Sequence, residues 1–233
     1  MKTVAIIPAA GAGRRMESGT PKQYLLLAGI PVLVRTLKAF QLSAVVDEIY
    51  LAAPEEDIPE IRRDMILKYG LSKVVLVLAG GGKRQDSVGN ALSHVRDEQG
   101  IVLVHDGVRP FVSGELIGKA TAAAGECGAA VVGVPVKDTV KEADTAGRVT
   151  KTVAREGLWL TQTPQAFRRE IIVAAYQRAA ADGYYGTDDA SLVERMGIPV
   201  RMIPGDWKNI KLTTPEDLLL GEVIAGNQFP LPI

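Results

Sequence analysis

The chain has 233 residues, 47% hydrophobic and 23% charged, which is ordinary globular composition and long enough to bury a sizeable core. Lys+Arg and Asp+Glu number 27 each, so nothing global points to nucleic acid or an anionic membrane as partner, and any positive site must be local. Cys127 is the only cysteine, excluding an intrachain disulfide or a cysteine-based zinc site, and without a membrane-length apolar run or signal-peptide pattern a cytoplasmic protein is expected.

The first element is a short β-branched run over 3–7, Thr-Val-Ala-Ile-Ile, which predicts a strand buried on both faces. It runs into Pro8-Ala9-Ala10-Gly11-Ala12-Gly13-Arg14-Arg15-Met16 and, a few residues on, Lys22. Small residues such as Ala9, Ala10 and Gly11 let a backbone lie close to a ligand, with amides forming a nest for anionic oxygens. Arginine adds a planar fork for phosphate and lysine a mobile point charge. Strand, small-residue loop and spaced cations therefore predict a nucleoside triphosphate site, the other reading being a surface loop with solvated charges. Other phosphate motifs fit poorly: there is no Gly-Lys-Ser/Thr, and Met16 stands where a dinucleotide fingerprint needs its third glycine.

Further along, the spacing predicts a helix over 31–40 opened by Pro31, a strand over 47–53 and a helix over 55–69 stopped by Gly70. A buried strand over 73–79 ends in a second glycine turn, Gly80-Gly81-Gly82, ahead of a helix over 84–96. A strand over 101–104 carries His105 and Asp106 at its carboxyl end, followed by a helix over 114–125 and a strand over 129–134. This alternation argues an α/β fold: a mostly parallel, twisted, Rossmann-like sheet with helices on both faces. The loops after the first, third and fourth strands then share the rim where open α/β sheets bind ligands.

Between 136 and 158 the pattern breaks. Residues 137–142 and 149–153 alternate polar and apolar around Ala146-Gly147, which predicts a hairpin with no apolar face wide enough for a core. A projecting β-hairpin arm is expected, the other reading being a hairpin folded back on its own domain. Helices over 168–181 and 188–196 follow, then a strand over 200–203 and a helix start at Thr214-Pro215-Glu216-Asp217. No linker or repeat interrupts the chain, so 1–233 reads as one domain, with 137–158 as the arm.

Were the triphosphate site to pass its nucleotide to a second phosphate, two anions would have to be brought together, and a phosphate monoester is already a nucleophile at pH 7. The work is positioning and charge neutralisation during in-line displacement, and motifs for activated serine or histidine nucleophiles are absent here. His94 reads as solvated and His105 as structural. Asp106, on the rim, is assigned to Mg²⁺, for which one carboxylate with phosphate oxygens and water suffices, the alternative being a cap of its own loop. Gly81, Gly82 and Ser87 are expected to hold the base and ribose, while Asp86 either caps its helix or touches ligand.

Pro21-Lys22-Gln23-Tyr24, His105-Asp106-Gly107-Val108-Arg109-Pro110, Gly157-Leu158-Trp159 and Asn209-Ile210-Lys211, together with the first loop, resemble the sugar-phosphate nucleotidyltransferases. Among these the match narrows to the 2-C-methyl-D-erythritol 4-phosphate cytidylyltransferases and covers nearly the whole chain. The resemblance implies transfer of a cytidylyl group from CTP to 2-C-methyl-D-erythritol 4-phosphate, releasing pyrophosphate, in the non-mevalonate isoprenoid precursor route. It implies that Arg15 and Lys22 face the triphosphate and the transition state. Arg109, Thr139, Arg155, Thr163, Thr187 and Lys211 would face the acceptor, and Asp188 either meets acceptor hydroxyls or caps a helix. It further implies a homodimer in which the arm embraces the second subunit and Arg155 reaches the neighbour's site. Gly107-Val108 departs from the Ala-Ala pair common in the family. Three rival readings are a ribitol or other pentitol phosphate cytidylyltransferase, a non-catalytic nucleotide sensor and an oxidoreductase. They are disfavoured respectively by Arg155-Glu156-Gly157-Leu158-Trp159, by the full set of cations and by Met16.

Overall fold

The computed structural model describes residues 2–11 and 21–226. Its central sheet has seven strands: β1 (Lys2–Pro8), β4 (Glu48–Ala53), β5 (Val74–Ala79), β6 (Gln99–Val104), β7 (Ala129–Pro135), β10 (Trp159–Arg168) and β11 (Arg201–Pro204), in spatial order β11-β7-β10-β6-β1-β4-β5. All neighbours pair in parallel except β10, which runs antiparallel to both β6 and β7. The mostly parallel sheet expected from the sequence is therefore present, made mixed by β10. Two small antiparallel pairs stand apart from it: β2 (Leu26–Leu27) with β3 (Ile30–Pro31), and β8 (Val140–Ala143) with β9 (Val149–Val153). The turn between β2 and β3 places Ala28 and Gly29 at positive φ, 45° and 75°, as two-residue hairpins of primed type require.

Strand β1 explains why helices cover both faces. Its side chains alternate, Ala5 and Ile7 entering one core and Val4 and Ile6 the other. The first core is closed by α1 (Val32–Leu42) and α4 (Gly114–Cys127), through Leu33, Leu37 and Phe40 on one and Leu116 and Ile117 on the other. The opposite core is closed by α3 (Arg84–Leu92), α5 (Arg169–Ala181) and α6 (Asp189–Glu194), through Val88, Leu92, Ile172 and Leu192. Each such side chain contributes roughly 1.5–3 kcal/mol by leaving water. A third cluster, Leu27, Val32, Val108, Phe111 and Leu212, seats α7 (Pro215–Gly226) against the rim.

Several elements differ from expectation. The helix expected over 55–69 is instead a 3-10 turn at Glu55–Asp57, a short α2 (Ile58–Glu60) and wider π turns over Ile61–Leu67. Helix α3 stops at Leu92 rather than 96, where the Ser93 hydroxyl donates to the Asn90 carbonyl and competes with the helical ladder. The largest omission is β10. Gln162, Thr163, Pro164 and Gln165 argue against a central strand, yet Gln162, Thr163 and Gln165 are all buried. Proline cannot donate to a ladder, and here Pro164 falls in a register break between Thr161 and Gln165 that needs no donor from it.

Candidate active site

The order of strands reverses around β1: β4 and β5 follow on one side, β6 on the other. Such a switch point leaves a crevice beyond the strand ends. A cleft of about 420 Å³ opens there, walled by Ala9, Ala10 and Gly11 after β1, Gly81, Gly82 and Ser87 after β5, and Lys22 and Asp106. A second cleft of about 270 Å³ adjoins it, with Arg109, Thr163, Thr187 and Asp188 on its walls. Arg84, Asp106 and Lys211 belong to both clefts and form the wall between them.

Local packing fixes each loop. Gln23, buried under the first loop, donates Nε2 to the Ala9 carbonyl at 3.0 Å. Tyr24 Oη donates to Asp57 Oδ2 at 2.6 Å, so the short turn Lys22–Tyr24 is held from two sides. At the second glycine turn the Gly81 amide donates to Ser87 Oγ at 3.0 Å, and that hydroxyl donates to the Lys83 carbonyl. A Cβ on Gly81 would lie 2.3 Å from Asp86 Cβ, and one on Gly80 2.3 Å from Ala10 Cβ. Glycine is needed at both positions for the chain's own packing, at Gly81 by the helix start beside it. Asp86 caps that start, accepting from the Lys83 amide at 2.9 Å.

Asp106, 6% exposed, is the electrostatic centre. Arg84 Nε meets Oδ1 at 2.9 Å, while Lys211 Nζ at 2.9 Å and Arg109 Nε at 3.4 Å meet Oδ2. Burial by itself would raise this carboxyl, but Arg84, Lys211 and Arg109 outweigh it and hold the group far below the usual carboxylate range. Strand β10 supplies the support. The Asp106 amide donates to Thr163 Oγ1 at 3.1 Å, and His105 Nδ1 lies 3.1 Å from the same hydroxyl. His105 Nε2 lies 3.1 Å from the Arg109 carbonyl, which can only accept. The proton therefore sits on Nε2, and Nδ1 accepts from Thr163. Burial pushes His105 down to about 4.

These two groups make acid stability a prediction. The unfolded chain binds a proton at His105 from about pH 6.5 downward while the folded chain refuses it until about 4, so stability falls as pH drops through that window. The displacement corresponds to about 3 kcal/mol. Asp106 works in the same direction at lower pH: its pairing stabilises the fold above its ordinary value of 3.8 and is lost as pH falls below that. Urea melts at fixed protein concentration should show the first loss between pH 6.5 and 4. His105→Gln should flatten that stretch and leave the steeper loss below pH 4 intact; an unchanged slope would place the titration elsewhere.

Of the residues expected to act, Ala9, Ala10, Gly11, Lys22, Gly81, Gly82, Ser87, Asp106 and Lys211 share the larger cleft, and Arg109, Thr163 and Thr187 wall the smaller. Arg15 lies outside the described residues. Thr139 and Arg155 wall neither cleft; both are exposed, and Arg155 donates to the Lys137 carbonyl at the foot of the β8–β9 hairpin. Asp188 caps α6, accepting the Ser191 amide at 2.9 Å, and also takes Gln165 Nε2 at 2.7 Å. The reading of the sequence missed Lys83 and Arg84. Their signal was present, since two cations directly after a glycine turn repeat the pattern of Gly13-Arg14-Arg15.

A family model described as 2-C-methyl-D-erythritol 4-phosphate cytidylyltransferase matches residues 3–227. A protein of that name from Syntrophus aciditrophicus (strain SB) is 52% identical over 227 residues, covering 97% of each chain. Another from Geobacter metallireducens is 48% identical over 233 residues, covering 99% of this chain and all of the relative. Among solved structures, the enzyme of the same name from Thermus thermophilus superposes with a TM-score of 0.81 at 34% identity, covering 97% of this chain and 100% of that one. The 4-diphosphocytidyl-2C-methyl-D-erythritol synthase from Anaerococcus prevotii reaches 0.84 at 33% identity, covering 97% and 96%.

Proposed function

Because this chain belongs to the 2-C-methyl-D-erythritol 4-phosphate cytidylyltransferase family, we infer that the paired clefts join CTP to 2-C-methyl-D-erythritol 4-phosphate, giving 4-diphosphocytidyl-2-C-methyl-D-erythritol and pyrophosphate. The observation that carries this reading is the shared wall: two clefts of anion-binding character meet at Arg84, Asp106 and Lys211. A transfer between two phosphates needs that arrangement, because both anions must be brought within bonding distance without being merged.

In the reaction an oxygen of the acceptor's phosphate attacks the α-phosphorus of CTP. The bond from that phosphorus to the bridging oxygen breaks, and pyrophosphate leaves with the electron pair. Ala9, Ala10 and Gly11 cradle the triphosphate, with Lys22 and Arg15 neutralising charge as it builds on the phosphoryl oxygens. Gly81, Gly82 and Ser87 face the nucleoside. Since the Ser87 hydroxyl is engaged by Lys83 and Gly81, it shapes that pocket as much as it touches base or ribose. Arg109, Thr163, Thr187 and Lys211 serve the acceptor. Arg155 and Thr139 serve it from a second subunit, in a homodimer built through the hairpin over 137–158. A reaction that consumes a nucleoside triphosphate suits the cytoplasm, and among the described residues no helix is long and apolar enough to cross a membrane.

Magnesium fits this site as an ion carried by the triphosphate. Among the described residues there is no cluster of three or more His, Cys, Asp or Glu, and Asp106 presents a single carboxylate beside three cations. One carboxylate plus phosphate oxygens and water is a normal magnesium environment. When bound, the ion would screen the triphosphate; Asp106 would hold it while keeping Lys211 and Arg84 in place. Asp106→Asn is expected to lower kcat/KM by about 10²-fold and shift the magnesium titration to higher concentration. If that titration overlays the parent's, Asp106 organises the cations alone. The acceptor is tested by offering CTP with 2-C-methyl-D-erythritol 4-phosphate or ribitol 5-phosphate. The first should dominate in kcat/KM, and preference for the pentitol would overturn the assignment.

A further inference from the structure

Arg84 stands where the two clefts meet, and the groups that hold it come from both sides of the wall. It opens α3 directly after the glycine turn, on the nucleotide side. Its Nε donates to Asp106 Oδ1 at 2.9 Å and its Nη1 to Asp189 Oδ2 at 2.8 Å. Asp189 is the first residue of α6, on the acceptor side, and only 1% exposed. Its other oxygen accepts Tyr176 Oη, from α5, at 2.5 Å. Neighbouring contacts reinforce the link: Gln85 donates Nε2 to the Tyr184 carbonyl and accepts the Gly186 amide at 2.9 Å. A continuous polar chain thus runs from Tyr176 through Asp189 and Arg84 to Asp106.

We propose that Asp189 is a positioning residue for cytidylyl transfer, acting through Arg84 to keep the wall between the clefts in its working geometry. This rests on the cytidylyl-transfer reading, which turnover by the unaltered chain checks separately. What matters is where a guanidinium goes when one of two anchors is removed. Tethered to two carboxylates in different directions, Arg84 is fixed as a spacer and its charge is spent on the protein. With Asp189 neutral, the three cations of the wall face one carboxylate instead of two. Arg84 is then released to bind substrate phosphate in the ground state. Such binding is uniform or worse, tightening the bound complex without favouring the transition state.

The expected signature follows. Asp189→Asn should lower kcat, normalised to calorimetric CTP-binding stoichiometry, by roughly 10–100-fold, the scale of a displaced catalytic wall. The KM for CTP should stay level or fall. Merely structural damage would remove binding sites and leave the normalised kcat alone. Arg84→Lys, a point charge that cannot span both carboxylates, should lower kcat similarly, and adding Asp189→Asn to it should cost little more. Tyr176→Phe keeps the ion pair and should give a smaller loss of the same kind, vanishing in the Arg84→Lys background. It serves as the deciding variant if Asp189→Asn does not fold. Additive losses, an unchanged normalised kcat, or a raised KM at constant kcat would each overturn the proposal.

Discussion

Replacing Lys22 with alanine is expected to cut turnover by roughly 10²–10³-fold, about 2.7–4 kcal/mol, with little change in the KM for CTP. The reason lies in how the lysine is mounted. A lysine side chain is flexible, but the short turn it opens is tied down directly after it, by Gln23 to the Ala9 carbonyl and by Tyr24 to Asp57. The ammonium is therefore delivered to the cleft from a fixed base. Charge held in place before the reaction stabilises what develops during it, at no reorganisation cost. Arg15, beyond the described residues, is expected to behave alike. A loss confined to KM would mean that Lys22 binds substrate and transition state equally, contradicting this role.

A second large effect is expected from Arg155. Alanine there should nearly abolish activity, although Arg155 walls neither cleft of its own chain and reaches back only as far as the Lys137 carbonyl. The strands it follows, β8 and β9, carry mostly exposed residues and belong to no part of the main sheet. A two-stranded hairpin is marginal alone in water, and a twofold copy would support it. If each site takes Lys22 from one chain and Arg155 from the other, mixing two dead proteins should restore activity. An Arg155→Ala chain paired with a Lys22→Ala chain gives one site with both defects and one with neither. Random exchange at equal amounts should then return roughly a quarter of parental activity. No recovery after demonstrated subunit exchange would place Arg155 in its own chain's site.

How much of this was legible follows from where the information sits. The parallel strands announce themselves because residues such as Val74–Ala79 are an unbroken apolar run, and the loops behind them because Gly80-Gly81-Gly82 follows directly. Asp106 could be placed at a strand end from local sequence alone. Strand β10 could not, because the polarity that hides it is satisfied by distant partners. Gln165 bonds Asp188 and the Ala190 amide, and Asn209 bonds the Thr163 carbonyl. The second anchor of Arg84 was hidden for the same reason, since it lies 105 positions away in Asp189. Both Asp86 and Asp188 cap helices, and Asp188 also lines the smaller cleft.

One site is expected to transfer the cytidylyl group of CTP to the acceptor's phosphate. This transfer is tested most directly with CTP labelled in the α-phosphate, supplied with magnesium and 2-C-methyl-D-erythritol 4-phosphate. The label should pass into a product carrying both the cytidine and the acceptor, with one pyrophosphate released per label transferred and none when either substrate is left out. Label appearing as CMP at a rate indifferent to the acceptor would contradict the account.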